Sequence, residues 1–127
     1  MKRDMELVRK ILFAIEKHPH GYAPDPLEIE GFSEEQVGHH CYLMMHAGLI
    51  EGMDTTDGDS EGPTAEPRNL TWAGHDFLGA ARDESVWSQV KSKVKEKGLE
   101  LGSLGFGVLI EYLKQQIKET LGMPPGS

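Results

Sequence analysis

One cysteine is present in 127 residues. A single thiol closes no internal disulfide, so the fold must rest on a packed core, as suits a reducing cytosol. No apolar run approaches the roughly 18 residues that a membrane span needs. The opening MKRDMELVRK carries charges inside its apolar pattern and does not read as a signal peptide. No GxxxxGKS/T, GxSxG or GxGxxG motif occurs. The phosphate loop, the nucleophile elbow and the dinucleotide fingerprint therefore have no support. These absences lead us to expect a cytoplasmic, non-enzymatic protein with no catalytic residues, no metal and no cofactor.

A further absence is local. Residues 33–67 contain no lysine and no arginine, yet they hold eight acids: Glu34, Glu35, Glu51, Asp54, Asp57, Asp59, Glu61 and Glu66. The whole chain has 21 acids against 13 bases, a net charge of −8. This one stretch thus accounts for the entire negative excess, and the remainder balances. Phosphate binding draws mainly on Lys and Arg, so an acidic stretch repels nucleic acid and suits a basic protein surface.

What is present is helical patterning around a short sheet. Asp4 caps a first helix whose apolar stripe is Met5, Val8, Ile11, Leu12 and Ile15. Pro19 closes it. Ser33, with Gln36 three residues on, forms a capping-box signature. Val37, Cys41 and Met44 then mark the inner face of a helix over 33–47, which Gly48 stops. Residues 49–53 and 68–72 read as two strands, joined by a polar wing over 54–67 (DTTDGDSEGPTAEP). That wing has no apolar anchor and is expected to be mobile. Thr71 caps the next helix, with Phe77 and Leu78 as its core contacts. Asp83 and Ser85 offer a break and a new cap. Val86, Trp87, Val90 and Val94 line a helix that ends near Gly98. After a glycine-rich joint over 98–107, Val108, Leu109, Tyr112, Leu113, Ile117 and Leu121 form a last amphipathic stripe.

Helix, strand, wing, strand and helix in this order form the second half of a winged helix. The expected class is α+β, mostly helical, with a small antiparallel sheet and additional C-terminal helices. We expect a winged-helix domain over 1–82 and a helical extension of the same domain over 83–122. An ordinary helix-turn-helix places a bracing second helix at 20–32. Here HGYAPDPLEIEGF carries Gly21, Pro24, Pro26 and Gly31, which oppose a helix. That helix is expected to be missing or reduced to a turn. Leu27 to Ile29 alternates as a strand would, so a three-stranded sheet of 27–29, 49–53 and 68–72 is expected.

The segments HAGLIEG and LTWAGHDFL, the opening MKRDMELVRKILFAIEKHP and the later RDESVWSQVKSKVKEKG together resemble the domain-of-unknown-function 2513 family. The resemblance covers residues 1–121. It implies a winged-helix fold and a bacterial, phage-associated context. It implies no reaction, so no catalytic residue is carried over.

The candidate interaction face is Glu34, Glu35, His39, Tyr42, His46, Asp54, Asp57 and Asp59, directed at a protein with a basic surface. The alternative is a DNA-binding regulator acting through a basic face outside the helix 33–47: Lys91, Lys95, Arg9 and Arg68. No membrane partner is expected. The last stripe, over 104–121, must be covered, either by the helix of Val86 to Val94 or by a second copy in a homodimer.

Metal readings are weak. His39, His40, Cys41 and His46 cluster on one helix, with His75 nearby in sequence. But His40 and Cys41 are adjacent and point about 100° apart, and two co-facial histidines do not make a zinc site. The wing's Asp54, Asp57, Asp59 and Glu61 lack the terminal glutamate and spacing of a calcium loop. Cys41, mid-helix between apolar neighbours, reads as a buried thiol.

Overall fold

The computed structural model describes residues 1–122. Its order is α1 (Met5–Lys17), α2 (Glu34–His46), β1 (Ile50–Asp54), β2 (Ala65–Leu70), α3 (Trp72–Ala81), α4 (Glu84–Glu96), a single 3₁₀ turn (Leu101–Ser103) and α5 (Phe106–Thr120). The fold is α+β and mostly helical, with a winged-helix-like first part. Among the described residues, no helix is long and apolar enough to cross a membrane. The chain divides into two compact units, one from Arg3 to Asp76 and one from Phe77 onward.

In the first unit, α1 starts where expected. The Asp4 carboxylate accepts from the N–H groups of Glu6 (2.9 Å) and Leu7 (3.3 Å), satisfying donors that a helix start leaves open. Met5, Leu7, Val8, Arg9, Ile11, Leu12 and Ile15 are buried. At 100° per residue they cover about 200° of the helix, wider than a single stripe. Arg9 falls inside this arc. It is 7% exposed, with its guanidinium 5.1 Å from the Phe13 ring centre. This corrects its assignment to a solvent-facing basic surface: the stem packs and the charge lies over an aromatic face.

Residues 18–33 contain no helix, so the bracing element of a helix-turn-helix is absent as expected. The third strand differs from expectation. Leu27 to Ile29 joins neither strand, and its Ile29 carbonyl accepts Phe32 N–H at 3.2 Å. Instead Tyr22 makes an isolated antiparallel bridge to Asn69, and Ala23 N–H donates to Arg68 O at 2.7 Å. Pro24 and Pro26 bring no N–H to a ladder, so pairing stops where they begin. The sheet therefore has two strands, β1 and β2, antiparallel, with Ile50 opposite Leu70 and Asp54 opposite Ala65. An irregularity between Glu51 and Gly52 leaves Arg68 as the extra residue on β2. The return strand begins three residues earlier than the sequence suggests, and Trp72 belongs to α3.

α2 carries its capping box in full: Gln36 N–H to Ser33 Oγ at 3.1 Å, and Ser33 N–H to Gln36 Oε1 at 2.8 Å. Val37, Cys41 and Met44 are buried as expected, and His40 joins them at 2% exposure. Gly48, at φ +79°, ends the helix in the left-handed region. Its carbonyl accepts from the Thr71 hydroxyl at 2.6 Å, and Thr71 Oγ1 in turn accepts from Gly74 N–H at 3.0 Å. Thr71 thus caps α3 while fixing it to the start of the hairpin.

The second unit is a helical cluster. Asp83 caps α4 through Val86 N–H at 3.0 Å. Val86, Trp87, Val90 and Val94 are buried on α4, and Leu109 and Leu113 on α5. α4 and α5 pack together within the chain. Phe77 meets Phe106 edge-on at 5.4 Å, and Lys93 pairs with Glu119 at 2.7 Å. The last stripe is covered in part: Tyr112 and Ile117 are half-buried, while Val108 and Leu121 are exposed.

Two expectations for stability follow. A Cβ at Gly74 would overlap the backbone carbonyl of Leu49, which cannot swing aside because it accepts Thr71 N–H at 3.1 Å. Gly74→Ala should destabilise by about 1–3 kcal/mol through this forced displacement, despite alanine's gain of about 1 kcal/mol in helix propensity. A lowered urea midpoint at unchanged slope is the expected readout. The second concerns His40, whose Nε2 accepts Asp4 N–H at 2.8 Å while Nδ1 donates to Gln36 O at 2.9 Å. Burial, opposed by the Gln36 bond, pushes its pKa below the ordinary 6.5. The folded chain therefore binds this proton less readily than the unfolded chain. Its contribution is fully present above 6.5 and drains as pH falls from there toward the folded value. Urea midpoints taken between about pH 7.5 and about pH 5 should show this loss. His40→Ala should flatten that component and cost about 1–3 kcal/mol at the upper pH by orphaning the Asp4 donor.

Candidate interaction site

With Val37, His40, Cys41 and Met44 turned inward, the helical period turns Glu35, His39, Tyr42 and His46 outward, while Glu34, expected there too, is exposed in the first turn about 20° from Cys41 on the inner side. Glu34, Glu35 and His46 are exposed, and His39 and Tyr42 are half-buried. The three rings form a strip along the helix. His39 and Tyr42 lie parallel within 9° at 6.5 Å, and Tyr42 and His46 approach to 4.4 Å. Spacings of three and four place successive rings one turn apart.

The wing lies against this helix. The loop is residues 55–64, and its two ends are tied by Thr55 N–H to Thr64 O (3.0 Å) and Thr64 N–H to Thr56 Oγ1 (2.9 Å). Its tip is a turn in which Asp57 Oδ1 accepts from Asp59 N–H at 2.8 Å and from Ser60 Oγ at 3.2 Å. Asp54 Oδ1 likewise accepts from Thr56 N–H at 2.9 Å. That bond, then the Thr56 hydroxyl and the nearby His46, hold the Asp54 carboxyl below its ordinary value. These are Asx-type contacts that shape a turn from its own side chains. The loop expected to be unanchored is therefore laced internally. Asp54 and Asp57 serve its conformation as well as its charge, while Asp59 is an exposed carboxylate at the tip.

Three contacts join wing and helix. His39 Nδ1 lies 3.0 Å from Pro63 O. Gly38 leaves the room that Thr64 Oγ1 occupies, since a Cβ there would overlap it. Glu35 and Glu61 meet carboxyl to carboxyl. A hydrogen bond between them, then the charge of Glu61, raises the Glu35 pKa above its ordinary 4.5. Two carboxylates so placed repel when both ionise, and a cation brought between them relieves that repulsion. Helix and wing are thus one acidic, aromatic-striped surface.

The other candidates are placed differently. Lys91 and Lys95 are exposed on α4 in the second unit, and Arg68 is exposed on β2 in the first. Between the two lysines in sequence, Lys93 is paired with Glu119. Lys97 Nζ lies 5.7 Å from the Tyr112 ring centre. Burial pushes the Cys41 thiol up to about 12, which makes it a poor nucleophile. Both ring nitrogens of His40 are engaged. Among the described residues, no three His, Cys, Asp or Glu side chains converge as a metal site. The sequence reading missed the burial of His40. Its spacing of three from Val37 and four from Met44 was the available signal.

A family model described as hypothetical protein (DUF2513) matches residues 2–100. An uncharacterised protein of Haemophilus influenzae is 36% identical over 104 residues, spanning 80% of this chain and 85% of that protein. No solved structure matches the chain.

The seating of the wing is testable at Gly38. Gly38→Ala gains up to about 1 kcal/mol of helix propensity and pushes Thr64 off the helix. Global stability should change little, while amide exchange at Thr55 and Thr64 should accelerate. Unchanged protection at both amides would show that Thr64 does not need the space.

Proposed function

The chain belongs to the domain-of-unknown-function 2513 family, and on that premise we propose that it is a non-enzymatic, winged-helix-like regulatory module that binds a basic protein through α2 and the wing. The cytosol, where a lone thiol stays reduced, and a phage-associated setting suit such a module. The observation that carries the reading is the joined surface of Glu34, Glu35, His39, Tyr42, His46 and Asp59, without a lysine or arginine from 33 to 67. Opposed charge steers a basic partner to this face and suppresses polyanions. The Glu35–Glu61 repulsion supplies a local gain when a cation arrives. Tyr42, half-buried between two imidazoles, is a rigid aromatic of the kind that anchors interfaces. A nucleic-acid role would fall to the exposed Lys91, Lys95 and Arg68, which carry far less charge density than phosphate contacts require.

The test is affinity capture from a lysate of the source organism. The wild-type chain is compared with the variant Glu34→Gln, Glu35→Gln, Asp59→Asn, whose side chains cap no helix and hold no turn. A basic protein retained by the wild type and lost about tenfold or more in the variant is the expected outcome. Equal retention by both overturns the reading. So does submicromolar binding of duplex DNA that disappears with Lys91→Gln, Lys95→Gln, which would assign the chain to nucleic acid.

A further inference from the structure

The segment that replaces the second helix leaves a cleft. It is about 1130 Å³ and runs between residues 24–32, the first turns of α2 and the start of β2. Its apolar lining includes Leu27, Ile29, Phe32 and Val37, with Cys41 and Ala65 deeper. Asp25, Glu28, Glu30, Glu34 and Glu66 line it as well, all exposed, and no lysine, arginine or histidine does. This is distinct in chemistry from the surface of α2 and the wing, where aromatic rings are ranked along a helix. Here an apolar floor is walled by carboxylates.

The cleft also has a shape. β2 has β1 on one side. On the other, Tyr22 and Ala23 pair only with Asn69 and Arg68, and the chain then leaves at Pro24. From there the cleft opens alongside Ala65, Glu66 and Pro67. On its far side lies Leu27-Glu28-Ile29-Glu30, a strand-like alternation that enters no sheet. A cation already uses this chemistry from within the chain: Lys10 Nζ sits 5.4 Å from the Phe32 ring centre.

We propose that this cleft is the docking site for an extended, cationic segment of a partner protein, one that alternates Lys or Arg with large apolar side chains. The apolar side chains would cover Leu27, Ile29 and Phe32, and the cations would meet Glu28, Glu30 and Glu66. The alternation of the segment matches the alternation of the wall, as in recognition by an added strand. The occupant is a basic protein segment because every ionised lining group is an acid, and because the floor gives no return on a ligand that is charged throughout. The proposal rests on the reading of the chain as a binder of basic proteins and adds a second contact beside the wing face, with its own place and form.

The experiment uses the full chain and a labelled short peptide alternating lysine with leucine, followed by fluorescence anisotropy and amide chemical shifts. Two peptides control for charge and for apolarity: lysine alternating with glycine, and glutamate alternating with leucine. Two variants on exposed side chains separate the sites: Glu28→Lys, Glu66→Lys in the cleft, and Glu35→Gln, Asp59→Asn on the wing face. The expected result is a dissociation constant at or below about 100 μM for the lysine–leucine peptide, with the controls and the cleft variant weaker by about tenfold or more. The wing variant should bind as the wild type does, and shifts should centre on Leu27, Ile29, Phe32 and Ala65. Equal binding of the lysine–glycine peptide overturns the proposal, since charge alone would then suffice. Shifts confined to His39, Tyr42 and His46 also overturn it, while leaving the wing-face reading intact. Absence of binding by either cationic peptide overturns it outright, whatever the lysate capture retains.

Discussion

A neutral imidazole holds the first unit in register. His40 receives the N–H of Asp4 and gives its own proton to Gln36 O, so one ring spans the start of α1 and the first turn of α2. Asp4 is at once the cap of α1 and the residue that His40 grips. Two helix starts are therefore fixed by one side chain. Once α2 cannot rotate, the outward direction of His39, Tyr42 and His46 follows from the helical period. The wing can then find Gly38 opposite Thr64. A buried polar group of this kind costs stability unless both nitrogens are satisfied, and here both are. An apolar residue in its place would fill space without naming a partner.

The absence of a second helix sets the other half of the architecture. In a helix-turn-helix that element braces the next helix by packing. Here the bracing is divided. Phe32 lies beneath Lys10, Tyr22 and Ala23 pair with the end of β2, and Pro24 and Pro26 end that pairing. The proline pair thus decides where the sheet stops and where the cleft begins. Removing a helix from a packed layer leaves a void that must be filled or lined. This chain lines it, with Leu27, Ile29 and Phe32 half-buried.

Much of this was legible in the sequence, for definite reasons. The capping box at Ser33 and Gln36, the stop at Gly48, and the caps Thr71 and Asp83 are local devices, and local devices can be read from a few neighbouring letters. The inner face of α4 followed from spacing alone. What was not legible is what depends on distant partners. Leu27 to Ile29 alternates like a strand, but pairing needs donors and a free edge, and the prolines before it withhold both. Arg9 looked like a surface charge because its burial comes from the width of the covered arc on α1 and not from its own type. Asp54 and Asp57 looked like charge for a partner, and only the folded loop brings up the N–H groups that each already holds. His40 was the hardest, since half of its role lies 36 residues away at Asp4.

On the proposed reading, the two acidic surfaces would divide the work of binding between rate and lifetime. Charge acts at a distance, over a Debye length of about 8 Å at physiological salt, so in the proposed complex the wing and the outer face of α2 would chiefly raise the frequency of encounter. Exposed carboxylates contribute little to persistence, because water and salt compete for each contact. Persistence comes from apolar area withdrawn from water, and in the first unit the cleft beside residues 24–32 offers an apolar floor within reach of acids. Glu34 stands in the first turn of α2 beside Glu35 and lines the cleft. On the proposed reading, a basic segment drawn in by the wing would meet further acids, Glu28, Glu30 and Glu66, around Leu27 and Ile29. A polyanion would meet repulsion at the same acids. The proposed selection of a basic partner thus rests on the placement of acids around an unfilled helix position, and acts before any side chain is touched.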